Sequence, residues 1–324
     1  MAIPNERTLT NLTLVDNEPL NKKKLELDGA YRWLVLTFIL NMTNTATPPT
    51  LIEDGFLKYF TAVGIRRNGK TYKFNQPLQF AVKKQTNDNG TPSFFQDVDL
   101  TADATYDAIV QYTIHFAEDI ENENDISALL QTKDLTNLEL IISTGDVDDI
   151  FSADKPTINT RTVEIEIRDF NGKGREGGDI NDPKEEKMTD IFELVEEIDL
   201  QVGKTNFTKL AQEIDMVSGS NILEHAGLIL DKGLASDDRV TDLRTYNVKP
   251  RTSDLERNFK SLSRNTKTNS TVETRITGFF KIDWQEKLGR AGFVTGVKSK
   301  ELIQLLTNGI VAGQDKILLY TKFV

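Results

Sequence analysis

Leu138-Glu-Leu-Ile-Ile142 and Lys316-Ile-Leu-Leu-Tyr320 are the stretches on which the fold turns, because each closes a series of landmarks that runs twice along the chain. Ahead of the first lie Val63-Gly-Ile-Arg-Arg67, Pro77-Leu-Gln-Phe-Ala-Val-Lys-Lys84, Tyr112-Thr-Ile-His-Phe116 and Asp125-Ile-Ser-Ala-Leu-Leu130. Ahead of the second, in the same order, lie Val240-Thr-Asp-Leu-Arg-Thr-Tyr246, Ser253-Asp-Leu-Glu-Arg-Asn-Phe-Lys260, Gly278-Phe-Phe-Lys-Ile282 and Ser299-Lys-Glu-Leu-Ile-Gln-Leu-Leu306. The displacement is nearly constant: 316 less 138 is 178, and 278 less 112 is 166. Identities are few; what repeats is the order and the type of pattern. A period this long marks a duplicated domain, since solenoid repeats run to roughly 20–50 residues.

The chain's 324 residues suffice for two domains, at roughly 150 residues each. A domain of that size buries about 70% of its unfolded surface and needs no staples. Cysteine is absent, which excludes disulfides and thiolate chemistry and suits a reducing cytoplasm. The net charge of −11 makes the chain a poor general partner for phosphate backbones, where binding depends on Lys and Arg displacing counterions. No sequence-specific nucleic-acid contact is expected. The N-terminus lacks a basic stretch followed by an apolar one, so no leader is expected. The longest apolar run, Trp33 to Leu40, is interrupted by Thr37 and falls far short of the ~20 residues of a membrane-spanning helix.

That run, with its β-branched and aromatic residues, reads as a buried strand. Phe60 to Phe74 reads as a hairpin centred on Asn68-Gly69, a dipeptide suited to tight turns at positive φ. Pro77 to Gln85 reads as a short helix with Pro in its first turn, followed by a loop at Asn87–Pro92. Strands are expected at Ala108–Phe116 and Leu138–Ser143, with a short helix capped by Asp125 before the latter. The acidic segment Gly145–Pro156 reads as a linker, Val163-Glu-Ile-Glu-Ile-Arg168 as the strand opening the second half, and Asn171–Glu186 as a long exposed loop. Further strands are expected near 191–201, 211–217, 227–231, 240–246, 274–284 and 316–323, with a helix over Asp254–Ser263. Helical signals are short, and βα alternation is missing, which disfavours a parallel sheet. The expected fold class is all-β: two tandem eight-stranded jelly-roll sandwiches with short helices in their loops, comprising an arm (1–24), a first sandwich (25–150) and a second (151–324).

The hairpin with Ile65-Arg-Arg-Asn-Gly69, the short helix after it, Tyr112–Phe116, the helix Asp125–Gln131 and Leu138–Ile142 together resemble one jelly roll of a double jelly-roll major capsid protein. The second half, through Gly278-Phe-Phe-Lys-Ile-Asp-Trp284 to the terminal strand, resembles the other. The resemblance covers about Leu25 to Val324, and the short helix before the last strand of each half is its most telling detail. The family builds tailless icosahedral viruses, among them tectiviruses, corticoviruses, other lipid-containing bacteriophages and adenoviruses. The resemblance implies a non-enzymatic virion subunit without cofactor, assembled in the host cytoplasm. It would trimerise into pseudo-hexameric capsomers and meet neighbouring capsomers and penton or minor capsid proteins. It also implies an inward-facing arm whose Lys22, Lys23 and Lys24 meet the lipid of an internal membrane, each at about 1 kcal/mol.

Other chemistries compete. Gly64-Ile-Arg-Arg-Asn-Gly69-Lys70-Thr71 satisfies the phosphate-loop pattern, with Ala226–Asp231 as its magnesium-binding strand. That motif works only if Lys70 and Thr71 open a helix; Tyr72–Gln76 alternates as a strand instead. Asp169-Phe-Asn-Gly-Lys-Gly174 starts like a calcium loop but places Lys173 and Ile180 where ligands are required. Asp146, Asp148, Asp149 and Asp154 could together hold Ca²⁺. His115 and His225 are the only histidines, and no nucleophile elbow accompanies them. Glu164 and Glu166 share a strand face, as paired carboxylates of glycosidases can. A two-domain sandwich binding carbohydrate or a cell surface is the other non-enzymatic possibility.

Overall fold

A computed structural model describes residues 2–15, 20–89, 94–116, 129–173, 177–182, 192–206, 221–247, 253–258, 276–283, 297–298 and 301–323. The polypeptide divides into two units. The first comprises Met1–Val82 and Pro92–Thr189, the second Lys83–Thr91 and Asp190–Val324.

The first unit contains β1 (Ala2–Thr13), β2 (Asn21–Lys24), β3 (Ala30–Thr43), β4 (Thr50–Leu51), helix α1 (Gly55–Tyr59), β5 (Ala62–Arg67), β6 (Lys70–Gln76), the start of helix α2 (Leu78–Asn89), β7 (Phe94–Asp97), β8 (Thr105–His115), β9 (Leu138–Ser143), β10 (Phe151–Ala153) and β11 (Thr157–Gly172). One sheet runs β1-β11-β3-β8-β7 and another β2-β9-β5-β6, all antiparallel; β4 and β10 form a small ribbon. On β3, Leu34, Leu36, Phe38, Leu40 and Met42 alternate inward and are fully buried. They share one core with Val63 and Ile65 of β5 and Leu138, Leu140 and Ile142 of β9. A period of two thus faces one side of each sheet to the other, which is the physics of a sandwich. Phe38 and Phe60 meet in that core with ring centroids 4.0 Å apart.

The second unit contains β12 (Phe192–Asp199), β13 (Lys204–Asn206), β14 (Asn221–Asp231), β15 (Leu234–Ala235), β16 (Val240–Asn247), β17 (Ser253–Asn258), β18 (Phe279–Asp283), β19 (Val297–Lys298), β20 (Glu301–Thr307) and β21 (Lys316–Phe323). One sheet runs β12-β21-β14, with β15, β18 and β19 along the far side of β14; the other runs β13-β20-β16-β17. Its interior holds Ile229, Leu243, Phe280, Leu305, Ile317 and Leu319, each fully buried.

The two units share one topology. Taking β1, β2, β3, β5, β6, β8, β9 and β11 as strands one to eight, the first unit's sheets read 1-8-3-6 and 2-7-4-5. Taking β12, β13, β14, β16, β17, β18, β20 and β21 likewise, the second unit's sheets read the same. This is the jelly roll, executed twice, and the all-β double-sandwich expectation holds.

Several expectations change in detail. The arm expected over residues 1–24 is largely built into the sheets, since β1 pairs with β11 from Ala2↔Gly172 to Thr13↔Thr162 and β2 pairs with β9; residues 1 and 16–19 lie outside the described residues. The divide falls at Thr189/Asp190, not after residue 150. The strand Val163–Arg168 completes the first sheet between β1 and β3 and does not open a second one. Ser253–Asn258 is the strand β17, paired with β16, where a helix is expected; residues 259–263 lie outside the described residues. Glu301–Thr307 is likewise a strand, so no helix precedes the last strand of the second unit there. Leu129–Gln131 is not helical and 125–128 lie outside the described residues, as does the strand expected at 211–217. Finally, α2 runs on to Asn89, past its expected end. Lys84 and Asp88, one turn apart, pair at 2.6 Å, and such a pair supports the last turn.

Candidate functional site

Asn68 and Gly69 take φ of 48° and 78°, the two positive values a type I′ hairpin demands. Lys70 pairs with Arg67 and Thr71 with Arg66 in the β5–β6 ladder. The lysine and threonine of the phosphate-loop pattern therefore open a strand, and no helix N-terminus stands there to hold a phosphate. Asn68 Oδ1 accepts from Thr136 N at 2.9 Å and Asn137 N at 3.2 Å, which fastens the turn to the segment entering β9.

The aspartates between β9 and β11 have separate partners. Asp146 caps the turn Val147–Asp149, accepting from Asp148 N at 3.2 Å, and Asp149 accepts from Asp146 N at 2.9 Å. Asp148 pairs with Lys155 at 2.5 Å, and Asp154 occupies a left-handed turn position at φ 51°. Among the described residues no three His, Asp or Glu side chains are grouped to hold a metal ion. Lys22 and Lys24 are exposed and Lys23 half-buried on β2; alternation places 22 and 24 on one face and 23 on the other. Glu164 and Glu166 flank the buried Ile165 on the outward face of β11. His225 is buried on β14 opposite Ile282 and Thr321; His115 is half-buried opposite Trp33. Burial pushes both imidazoles down to about 4, so both are neutral at pH 7.

Sequence reasoning missed the two strongest electrostatic features, because each joins residues far apart in the chain. In the first unit, Arg7 on β1 reaches Glu26, Asp28 (2.9 Å) and the fully buried Asp169 of β11 (2.7 Å). Burial pushes the Asp169 carboxyl up against the opposing pull of Arg7. The calcium-loop start is thereby used as an anchor for an edge strand. In the second unit, Lys84 and Asp88 of α2 meet Glu224 of β14 and Lys281 of β18. Lys84 Nζ lies 2.6 Å from Asp88 and 3.4 Å from Glu224; Lys281 Nζ lies 2.8 Å and 3.3 Å from the same two carboxylates. Burial alone would raise the Asp88 carboxyl, but Lys84 and then Lys281 outweigh it and hold it well below the usual carboxylate range. Lys84 also lies over the Tyr320 ring, 4.8 Å from its centroid. Two cations and two anions balance in a site where an odd charge would be costly.

Among the described residues no carboxylate or imidazole cluster is grouped to hold a metal, and the Gly64–Thr71 pattern is spent on a hairpin. The arrangement is that of a double jelly-roll scaffold whose two buried charge clusters tie its own elements together. No protein-family model and no curated protein sequence matches the chain. Solved structures do. The chain is similar to the STIV MCP at 14% identity and a TM-score of 0.71, over 99% of this chain and 97% of that one. It is similar to the PBCV-1 VP54 fitted into a reconstruction of the virophage Sputnik, at 7% identity and a TM-score of 0.62 over 100% and 94%. It is also similar to the major capsid protein P2 of bacteriophage PM2, at 10% identity and a TM-score of 0.57 over 99% and 97%. The shared property is the fold, along the whole length.

Proposed function

We propose that the chain is a major capsid protein of a tailless icosahedral virus, within the lineage that includes PM2. The observation that carries the reading is the identical 1-8-3-6 and 2-7-4-5 strand order in both units, in a chain that matches capsid proteins over nearly its full length. On this reading three chains associate. Six sandwiches then form a pseudo-hexagonal tile that closes into a shell with its neighbours and with penton and minor capsid proteins, under the symmetry rules that favour closed cyclic interfaces. The subunit is non-enzymatic and needs no cofactor. Assembly takes place in the host cytoplasm. With β1 in the sheet, contact with an internal membrane falls to Lys22 and Lys24 alone, worth about 2 kcal/mol together near an anionic surface.

Native mass spectrometry with negative-stain imaging tests the proposal. The expected result is a species at three times the 36.5 kDa chain mass, with hexagonal outlines. A strictly monomeric protein at high concentration, or one protected from unfolding by a sugar, would favour the carbohydrate-binding module instead.

A further inference from the structure

The two sandwiches carry equivalent 1-8-3-6 sheets whose outward faces are finished differently. In the second unit, register sets Ala226, Leu228, Phe279, Leu318 and Tyr320 on the outward face. Each of them is fully buried. The C-terminal half of α2, which belongs to this unit, lies on that face. Its Lys84 and Asp88 engage Glu224 and Lys281, and Lys84 stands over the Tyr320 ring. In chain order α2 is part of the first sandwich's connection from its fifth strand, β6, to its sixth, β8.

The same face of the first unit is open. Register sets Trp33, Val35 and Ile39 of β3 on it, with Ile109 of β8 beside Ile39 and Phe95 of β7 beside Gln111. The β3 and β8 members are half-buried, and Phe95 is 55% exposed. An antiparallel face made for water carries polar residues outward; this one is apolar along its middle. Glu164 and Glu166 of β11 flank the apolar strip on one side, and Asp107 of β8 and Asp97 of β7 on the other. Arg168, on the same face, is taken up by Glu6 at 2.6 Å. An apolar centre within a charged rim is the anatomy of a protein interface, and a rim of carboxylates suits a cationic partner. The chain itself holds such a segment. Residues 259–275, which connect the fifth strand to the sixth in the second sandwich, lie outside the described residues, but their sequence carries Lys260, Arg264, Lys267 and Arg275 against Glu273.

We propose that the outward face of the first unit's 1-8-3-6 sheet is the docking surface for residues 259–275 of a second copy of the chain. Two observations carry the assignment: the opposite charge of face and segment, and the use of the equivalent connection, through α2, on the equivalent face of the second unit. The contact is heterologous, one surface meeting a different one, so its repetition can close a ring of chains. The inference rests on the association of like chains proposed above and names the surface that carries it. Native mass spectrometry over a dilution series tests it on the full-length protein. Glu164→Lys/Glu166→Lys should raise the concentration at which the trimer half-dissociates by about tenfold or more. Lys260→Glu/Arg264→Glu/Lys267→Glu should do the same. A chain carrying both sets restores opposite charges across the contact and should recover most of the loss. Phe95→Ser changes no charge and should weaken the trimer comparably; it keeps the test decisive if a charge variant fails to fold. A trimer unmoved by Phe95→Ser and the lysine pair, or a combined chain that recovers nothing, would overturn the docking site and leave the capsid reading standing. Variants that lower the thermal midpoint with the trimer intact would assign the face to the same chain's own connection and overturn it as well. A wild-type chain that stays monomeric at high concentration overturns both readings.

Discussion

Gly69 and Gly278 both hold positive φ, at +78° and +71°, but a methyl group would find different surroundings at each. At Gly69 nothing lies within 4 Å, so Gly69→Ala carries only the backbone cost, about 1 kcal/mol. At Gly278 the added Cβ would stand 2.8 Å from Ile229 O and 2.8 Å from Ser236 N. Those are backbone atoms that cannot swing away, so Gly278→Ala should cost about 3 kcal/mol; urea denaturation of the two variants checks the contrast. The glycine at 69 was legible from its dipeptide, whereas nothing local to Gly278 announces the strands that close around it. His225 gives a pH test. Its imidazole falls from the ordinary 6.5 to about 4 on folding, so between those values the unfolded chain holds the extra proton. Stability should therefore drop as pH falls from about 6.5 to 4, by on the order of 3 kcal/mol for a group this buried. His225→Gln should flatten the acid limb of a stability-versus-pH curve; an unchanged slope would mean the imidazole is not the cause.

The charged quartet decides how the C-terminal part of α2 is held in the second unit. Removing one member leaves an unbalanced charge, a loss of about 3–5 kcal/mol for a fully buried pair. Side-chain exposures of 9% for Glu224 and 24% for Lys281 lower the expectation to about 1–3 kcal/mol for Glu224→Gln or Lys281→Met. The double variant, which restores balance and leaves Lys84 with Asp88, should cost less than the sum of the singles by about 1 kcal/mol. The folded Asp88 carboxyl is held low, so its contribution is complete above the ordinary carboxylate range and fades as pH falls below it. The lysines are held high and lose theirs only on strong alkalinisation. A double-mutant cycle at pH 7 and again near pH 3 measures both effects. At this scale the sequence was partly transparent. Val63–Arg67 does correspond to Val240–Tyr246 as the fourth strand, and Tyr112–Phe116 to Gly278–Ile282 as the sixth. Leu138–Ile142 is the seventh strand and Lys316–Tyr320 the eighth, so that pairing slips by one. Both stretches are buried along nearly their whole length, and a continuous apolar run carries no label saying which buried strand it is. β1 escaped notice for the opposite reason. At the sheet edge only Leu9 among its described side chains is buried, which leaves almost no alternation to read.

For the molecule as a whole, the dividing point controls what can fold alone. β11 lies between β1 and β3 in the first sheet, in register with β3 from Thr157↔Thr43 to Phe170↔Ala30 and with β1 on its other side. A fragment ending at residue 150 would remove that central strand. It would strip β1 of its partner, expose one long edge of β3, and uncover the core face that Val163, Ile165 and Ile167 close. An open apolar edge of this kind is a template for aggregation. A fragment ending at Thr189 keeps all eight principal strands and also the segment around Ile180. That segment packs with Ala30, Leu129 and Phe170, and its Asn181 Oδ1 accepts from Thr132 N at 2.6 Å. Ile180 and Asn181 are buried although the Gly-rich, charged stretch Asn171–Glu186 reads as a long exposed loop. Fragment 1–189 should therefore be soluble and melt cooperatively by circular dichroism, while fragment 1–150 should precipitate or give no cooperative transition. A soluble, cooperatively folded 1–150 would show that the acidic segment ending at Pro156 is the true divide and that β11 is dispensable to the first sandwich.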